Sequence, residues 1–65
     1  MATTIQDAID NGLAIRGLMV RVPHYNHLCR VLRTYGMAPD GRAYVEVEGI
    51  SGSEFLVPAA EAYSA

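Results

Sequence analysis

The stretch from Ala43 to Val57, AYVEVEGISGSEFLV, constrains the fold more than any other part of this chain. Apolar and polar residues alternate strictly over 43–48, and this period of two predicts a half-buried antiparallel strand. The glycines and serines of residues 49–53 predict a tight turn, after which a second strand is expected over 54–57. A hairpin of this kind needs further strands to bury its apolar face.

Two earlier segments are the candidates for those strands. Residues 18–22, LMVRV, alternate and end before Pro23, which cannot donate to a β-ladder. Residues 28–35, LCRVLRTY, are rich in strand formers, although their apolar spacing also fits a helix. We favour a strand, because the hairpin and one further strand would not close a small core. The helical alternative for residues 27–35 stays open at this point.

Short helical segments are predicted at both ends. Residues 3–11 begin at a capping Thr3 or Thr4, carry an apolar stripe at helical spacing and end at Asn11-Gly12. So short a helix is unstable alone in water, so its stripe must pack on this domain or on a partner. Residues 58–63, PAAEAY, place Pro at a first helical position and predict a C-terminal helical turn.

The length of 65 residues allows one domain, 1–65, divided into a helical N-terminal extension over 1–16 and a small barrel over 17–63. Chains this short bury only about 60% of their unfolded surface and usually need a disulfide, a metal or a partner. Cys29 is the single cysteine, so an internal disulfide is impossible. We therefore expect the chain to form homo-oligomers or to dock on a larger protein complex.

The sequence also indicates a cellular setting. It contains no run of the ~20 apolar residues that a membrane span requires. Its first ten residues include two acidic and no basic side chains, unlike a secretory signal. Together with the single cysteine, these features favour a bacterial-type cytoplasm or a virion, and of the two we expect a cytoplasmic protein.

Charge is distributed unevenly. All five basic residues are arginines between residues 16 and 42, whereas the acidic residues mostly precede or follow that segment. The net charge of the whole chain is −2, which argues against a general nucleic-acid binder.

Four short strands, the Pro39-Asp40-Gly41 turn, a second tight turn and a terminal helical turn resemble an SH3-like small β-barrel. The C-terminal half is similar to the plasmid-encoded type II dihydrofolate reductases, which form such barrels and work as tetramers around one pore. The ungapped resemblance covers Val45, Glu46, Glu48, Gly52, Ser53, Pro58 and Ala60. A looser resemblance covers Gly17, Val20, Arg21, Tyr35 and the Pro39-Asp40-Gly41 turn.

The residues that would give reductase activity are not present. That family reads its ligands with a glutamine, an isoleucine and a tyrosine, which correspond to Phe55, Leu56 and Val57. Its pore lysine corresponds to Val22. The resemblance therefore implies a small barrel that self-associates through its last strand, without the reductase reaction and without a cofactor.

His24, His27 and Cys29 are the only cluster of ligand-type side chains. A structural zinc site needs four close ligands, and the spacing H-x-x-H-x-C supplies three. Metal binding would therefore require sharing across an interface between chains. A Cys-His nucleophile pair also lacks a visible orienting group, so we expect no metal and no catalytic residue.

The best candidate surface is an arginine and tyrosine set, because these residue types are enriched at protein interfaces. We predict a partner-binding role for Arg21, Tyr25, Arg30, Arg33, Tyr35 and Phe55. Arg30 and Arg33 fall on opposite faces of a regular strand, which weakens this hypothesis, whereas both would face solvent if the segment were helical. A solvated arginine strip that only protects a sheet edge is the alternative interpretation of the arginines.

The sequence thus favours a non-catalytic protein–protein interaction or assembly subunit. The alternative is a small-barrel nucleic-acid-binding protein, which would place basic and aromatic residues on one sheet. Glu46, Glu48 and Glu54 would repel phosphates unless they lie on the other side of the molecule.

Overall fold

The computed structural model describes residues 3–65 apart from the side chain of Met37. Residues 1–2 of the N-terminal extension predicted over 1–16 therefore lie outside the described chain. The described chain is mainly β, as predicted. Its elements are α1 (Ile5–Asp10), β1 (Met19–Arg21), β2 (Cys29–Met37), β3 (Ala43–Glu48), β4 (Glu54–Pro58), a 3-10 turn (Ala59–Glu61) and β5 (Tyr63–Ser64).

The four predicted strands are all present. β3 has the predicted bounds of 43–48, and β4 extends the predicted 54–57 by one residue. β1 keeps only three residues of the predicted 18–22. The helical alternative for residues 27–35 is wrong, because β2 pairs with both β1 and β3.

The five strands form one antiparallel sheet in the order β4-β3-β2-β1-β5. The prediction of a closed barrel is wrong, because β4 and β5 remain at opposite edges of the sheet. The edge of β5 is already occupied by the N-terminal segment. The Ser64 N–H donates to the Thr3 carbonyl and the Ile5 N–H donates to the Ala62 carbonyl, both at 2.8 Å.

The predicted C-terminal helical turn over 58–63 is correct only in its middle. The 3-10 turn covers Ala59–Glu61, after which β5 pairs antiparallel with β1. Two residues are too few to give a periodicity that a sequence could reveal. β5 exists because β1 and the N-terminal segment provide ladder partners on both of its sides.

Helix α1 begins as predicted at Thr4, whose side-chain oxygen accepts a hydrogen bond from the Asp7 N–H at 3.1 Å. Its apolar stripe packs on its own domain, because Ile5 and Ala8 are buried and Ile9 packs against the core. The sequence alone had allowed this stripe to pack either on its own domain or on a partner protein. The stripe therefore no longer favours a partner.

The core lies on one face of the sheet and under α1. Short side chains dominate it, and valines are the commonest buried residue among those described. The buried residues are Ile5, Ala8, Ile15, Val20, Val22, Cys29, Val31, Val45, Val47, Val57, Ala59 and Ala62. Burial of a valine-sized side chain contributes about 1.5–3 kcal/mol, so a core of this composition gives modest stability.

The predicted turn at Pro39-Asp40-Gly41 joins β2 to β3. Asp40 accepts a hydrogen bond from the Arg42 N–H at 3.0 Å, and Gly41 has a φ of 81° that favours glycine. The Tyr44 hydroxyl donates to the other Asp40 carboxylate oxygen at 3.1 Å. This hydrogen bond is the main reason why the pKa of Tyr44 is raised.

Candidate interaction surface

A β-bulge in β2 decides which side chains face solvent. Val31 pairs with Val47, and the next paired residue, Arg33, lies opposite Glu46. Leu32 is therefore an extra residue on β2 with no direct partner on β3. A bulge of this kind resets the alternation of the side chains that follow it.

The bulge brings Arg30 and Arg33 to the same side of the sheet. Arg30 lies opposite Glu48, and Arg33 lies opposite Glu46, two positions along β3. Residues two apart on a regular strand share a face. The expectation that the two arginines lie on opposite faces is therefore wrong.

We call the solvent-facing side of the sheet, opposite the core, the outer face. Residues directly opposite each other in an antiparallel pair share a face, so the pairing register identifies its members. They are Met19, Arg21, Arg30, Arg33, Tyr44, Glu46, Glu48, Glu54, Leu56, Pro58 and Tyr63.

The two signs of charge are separated on this face. The basic half consists of Arg21, Arg30 and Arg33 on β1 and β2, and the acidic half consists of Glu46, Glu48 and Glu54 on β3 and β4. The face as a whole is balanced in charge, but each half carries one sign. Such a surface attracts a partner whose charges are arranged in the opposite order.

One ion pair marks the boundary between the halves. The Arg33 Nε donates to the Glu46 Oε1 at 2.8 Å. The Arg33 side chain is 66% exposed, so this pair contributes at most about 1 kcal/mol to stability. The pair thus orients Arg33 more than it stabilises the fold.

A shallow groove of about 440 Å³ lies beside this boundary. Its lining combines arginines of the basic half with glutamates of the acidic half. The residues that matter to its charge are Arg16, Arg30, Arg33, Glu46 and Glu54. An apolar small molecule would find few partners there, whereas charged side chains of another polypeptide would find both signs.

Apolar side chains interrupt the charges of the outer face. Met19, Leu56 and Tyr63 are 41%, 46% and 46% exposed, respectively. Met19 lies on the basic half and Leu56 on the acidic half, on either side of the charge boundary. The outer face therefore offers desolvation energy as well as charge, as protein interfaces do.

The predicted partner-binding residues separate into two groups. Arg21, Arg30 and Arg33 lie together on the outer face, and Tyr35 is the extra residue of a second bulge in β2. The Arg33 guanidinium carbon is 6.0 Å from the centroid of the Tyr35 ring, which is within cation–π reach. Tyr35 is 56% exposed and extends the surface beyond the end of the basic half.

Tyr25 and Phe55 form the other group, at the edge of the core. Their ring centroids are 5.4 Å apart, and both rings pack against buried residues. Phe55 pairs with buried Val47, so it lies on the opposite face from the arginines. These two aromatic residues join the loop after β1 to the sheet.

The cluster of His24, His27 and Cys29 is spread between solvent and core. Both histidines are exposed, whereas Cys29 is fully buried and its thiol donates to the His27 carbonyl at 3.8 Å. Burial raises the pKa of the Cys29 thiol, which disfavours the thiolate that a metal ligand or a nucleophile requires. Within residues 3–65, no group of three or more His, Cys, Asp and Glu side chains is placed to hold a metal ion.

Several residues of this surface were not predicted from the sequence to bind a partner. The glutamates of the acidic half were expected only to repel phosphates, Leu56 was compared only with a ligand-reading residue of the reductases, and Met19 was given no role. The strict alternation over 43–48 does assign Glu46 and Glu48 to one face. The register that sets them beside the arginines depends on a bulge that no local pattern marks.

No protein-family model, no curated protein and no solved structure matches this chain significantly. The similarity to the type II dihydrofolate reductases thus depends on the quoted residues alone. None of the helices in the described part of the chain has the length and apolar character needed to cross a membrane.

Proposed function

We propose that this chain is a non-catalytic interaction or assembly subunit, which associates with its own copies or docks on a larger protein complex. The main observation in support of this proposal is the outer face. Two halves of opposite charge meet there beside exposed apolar side chains and a groove. Arginine, tyrosine and methionine are enriched at protein interfaces. The fold leaves all three types accessible on one side of the sheet.

The composition of the core supports the same proposal. A 65-residue chain has little surface to bury, and this core is built largely from valine and alanine. Domains with so little buried apolar surface gain stability when a partner binds the folded state. Association would therefore stabilise this domain as well as carry out its function.

We also propose that the sheet is an SH3-like arrangement opened at one edge. A meander from β1 to β4, a 3-10 turn and a last strand beside β1 support this assignment. The proposal includes a cytoplasmic location, which fits a single buried thiol. It includes no catalytic role, which fits the raised pKa of that thiol.

Nucleic-acid binding is the second candidate, and the acidic half weighs against it. The glutamates lie on the same face as the arginines, and Glu46 is already paired with Arg33. A phosphate backbone approaching the basic half would meet three carboxylates within the width of two strands. Affinity for single strands that falls steeply between two salt concentrations would instead favour this candidate.

Sedimentation velocity and native mass spectrometry of the purified chain test the proposal. We expect a concentration-dependent oligomer, or a complex with a captured protein that the variant R30E/R33E fails to retain. The variant R42E is the charge control for the single variant R30E, because Arg42 lies in the turn before β3, pairs with Glu61 and carries the same charge. The proposal would be contradicted if the chain is a stable monomer and captures no protein whose binding is lost when Arg30 is changed.

A further inference from the structure

We propose that two copies of this chain associate through their outer faces about a two-fold axis that runs parallel to the strands, between β2 and β3. This inference rests on the proposed function and specifies its partner as a second copy. The basic half of each copy would contact the acidic half of the other. Isologous contacts of this kind are the commonest form of protein oligomer.

The direction of the axis follows from the arrangement of charge. A two-fold parallel to the strands and between β2 and β3 places β2 of one copy over β3 of the other, and β1 over β4. Arg30 then faces Glu48 of the second copy, and Arg33 faces Glu46. An axis perpendicular to the strands would place β2 over β2, and the arginines would repel each other.

The balance of charge favours a second copy over an unrelated partner. The outer face carries three arginines on β1 and β2 and three glutamates on β3 and β4, so it is complementary to itself after this rotation. Met19, Arg30, Glu48 and Glu54 form one row across the sheet, so Met19 on β1 would lie over Glu54 of the second copy. The two Arg30–Glu48 and two Arg33–Glu46 contacts between the copies would therefore lie nearest the axis.

The size of the face sets the strength of the association. The molecule measures 28 × 28 × 19 Å, so one face supplies at most roughly 800 Å², the usual contribution of one partner to a specific interface. Charged groups in a face that is only partly buried are screened by salt. We therefore expect a dimer that weakens as the salt concentration rises.

Charge reversal in trans tests this arrangement. R30E/R33E makes β2 to β4 of the face acidic, and E46R/E48R makes β1 to β3 of the face basic. Each variant alone is expected to dimerise at least about tenfold more weakly than the wild type, because like charges then face each other. An equimolar mixture is expected to form heterodimers, detected by native mass spectrometry after isotopic labelling of one variant.

Two controls separate the effect of the face from that of net charge or of folding. R42E matches the charge change of R30E, and D10R on α1 matches that of E48R; both should leave the dimer unchanged. If a double variant fails to fold by circular dichroism, the single variants R30E and E48R replace the pair, since Arg30 lies opposite Glu48 in the same chain.

The outcomes distinguish this inference from the proposed function. Wild-type dimers that survive both reversals, or a mixture that fails to form heterodimers, would overturn the outer-face arrangement and leave self-association standing. A wild-type monomer that captures a different protein through Arg30 would also overturn the dimer and keep the interaction role. A wild-type monomer that binds nothing would remove both.

Discussion

The Ile50 N–H donates a hydrogen bond to the Tyr25 hydroxyl oxygen at 2.7 Å, across 25 residues of sequence. This contact ties the loop after β1 to the turn between β3 and β4. Gly49 lies directly under the same ring, where a Cβ atom would meet the Tyr25 hydroxyl oxygen and would lie 2.9 Å from Cζ. Any side chain at position 49 would therefore force the Tyr25 ring to shift and would strain its hydrogen bond to Ile50.

We expect Gly49→Ala to destabilise the fold by about 1–3 kcal/mol, the range for an overpacked site. Tyr25→Phe removes the hydroxyl and one hydrogen bond, which costs about 0.5–1.5 kcal/mol. In the Tyr25→Phe background the added methyl group meets less obstruction, so Gly49→Ala should cost less there.

A double-mutant cycle in urea measures this coupling. Ser51→Ala is the control, because residue 51 is exposed in the same turn. Strictly additive effects of the two changes would show that Tyr25 does not pack on Gly49 in solution.

Local patterns were sufficient for much of the sheet. The alternation over 43–48 predicted β3 with its bounds, because one face of that strand is buried and the other is not. The turn at Pro39-Asp40-Gly41 and the cap at Thr4 were also predictable, since each depends on hydrogen bonds between near neighbours.

The remaining features depend on contacts between distant segments. The bulge at Leu32 is fixed by pairing with β3, and without it Arg30 and Arg33 cannot be placed on one face. The edge of β5 is covered by residues about 60 positions earlier, so the open sheet could not be predicted from either segment alone. Tyr25 was assigned to a partner surface because an aromatic residue in a polar loop gives no sign of what it packs on.

Ile5 tests whether the helix stripe packs on its own sheet. Its side chain is 1% exposed, so Ile5→Ala should destabilise the domain by about 2–5 kcal/mol and Ile5→Val by about 0.5–1.5 kcal/mol. A domain of this size has only a few kcal/mol of stability, so the valine variant provides the graded measurement. Midpoints of urea unfolding, monitored by circular dichroism, give the comparison.

Gln6→Ala on the same helix is the control for Ile5. Gln6 is only partly buried and its amide donates to Asp10 four residues later, so its removal should change stability by about 0.5 kcal/mol or less. Equal effects of Ile5→Ala and Gln6→Ala would mean that the stripe is free for a partner after all.

We expect the ionisation of Tyr44 to lower the free energy of unfolding at alkaline pH. The hydrogen bond to Asp40 favours the protonated phenol and raises the pKa of Tyr44 in the folded chain. The folded state therefore holds this proton more tightly than the unfolded state does. Its stabilising contribution is complete below the ordinary tyrosine pKa of about 10 and is lost as the pH rises through the raised value.

Absorbance at 295 nm follows the ionisation of the tyrosines, and Tyr44→Phe identifies the part due to Tyr44. We expect the absorbance change that is lost in Tyr44→Phe to be the part that occurs at the highest pH in the wild-type titration. In Asp40→Asn the carboxylate is gone, so Tyr44 should ionise at lower pH than in the wild type. A Tyr44 ionisation unaffected by Asp40→Asn would show that the hydrogen bond is not maintained.

Cys29 gives a direct measurement of how the sheet opens, because it is the single thiol of the chain and is fully buried. Burial raises its pKa, and each unit of increase lowers the thiolate fraction tenfold near neutral pH. Reaction with an aromatic disulfide reagent at pH 7 should therefore be at least about tenfold slower in the folded chain than in urea.

The rate of this reaction should follow stability when the chain opens and closes faster than the reagent attacks. Gly49→Ala and Ile5→Val should then accelerate labelling in proportion to their loss of stability, about tenfold for each 1.4 kcal/mol. Gln6→Ala should leave the rate unchanged. Rapid labelling of the folded wild type would place the thiol at the surface and would restore Cys29 as a candidate nucleophile or metal ligand.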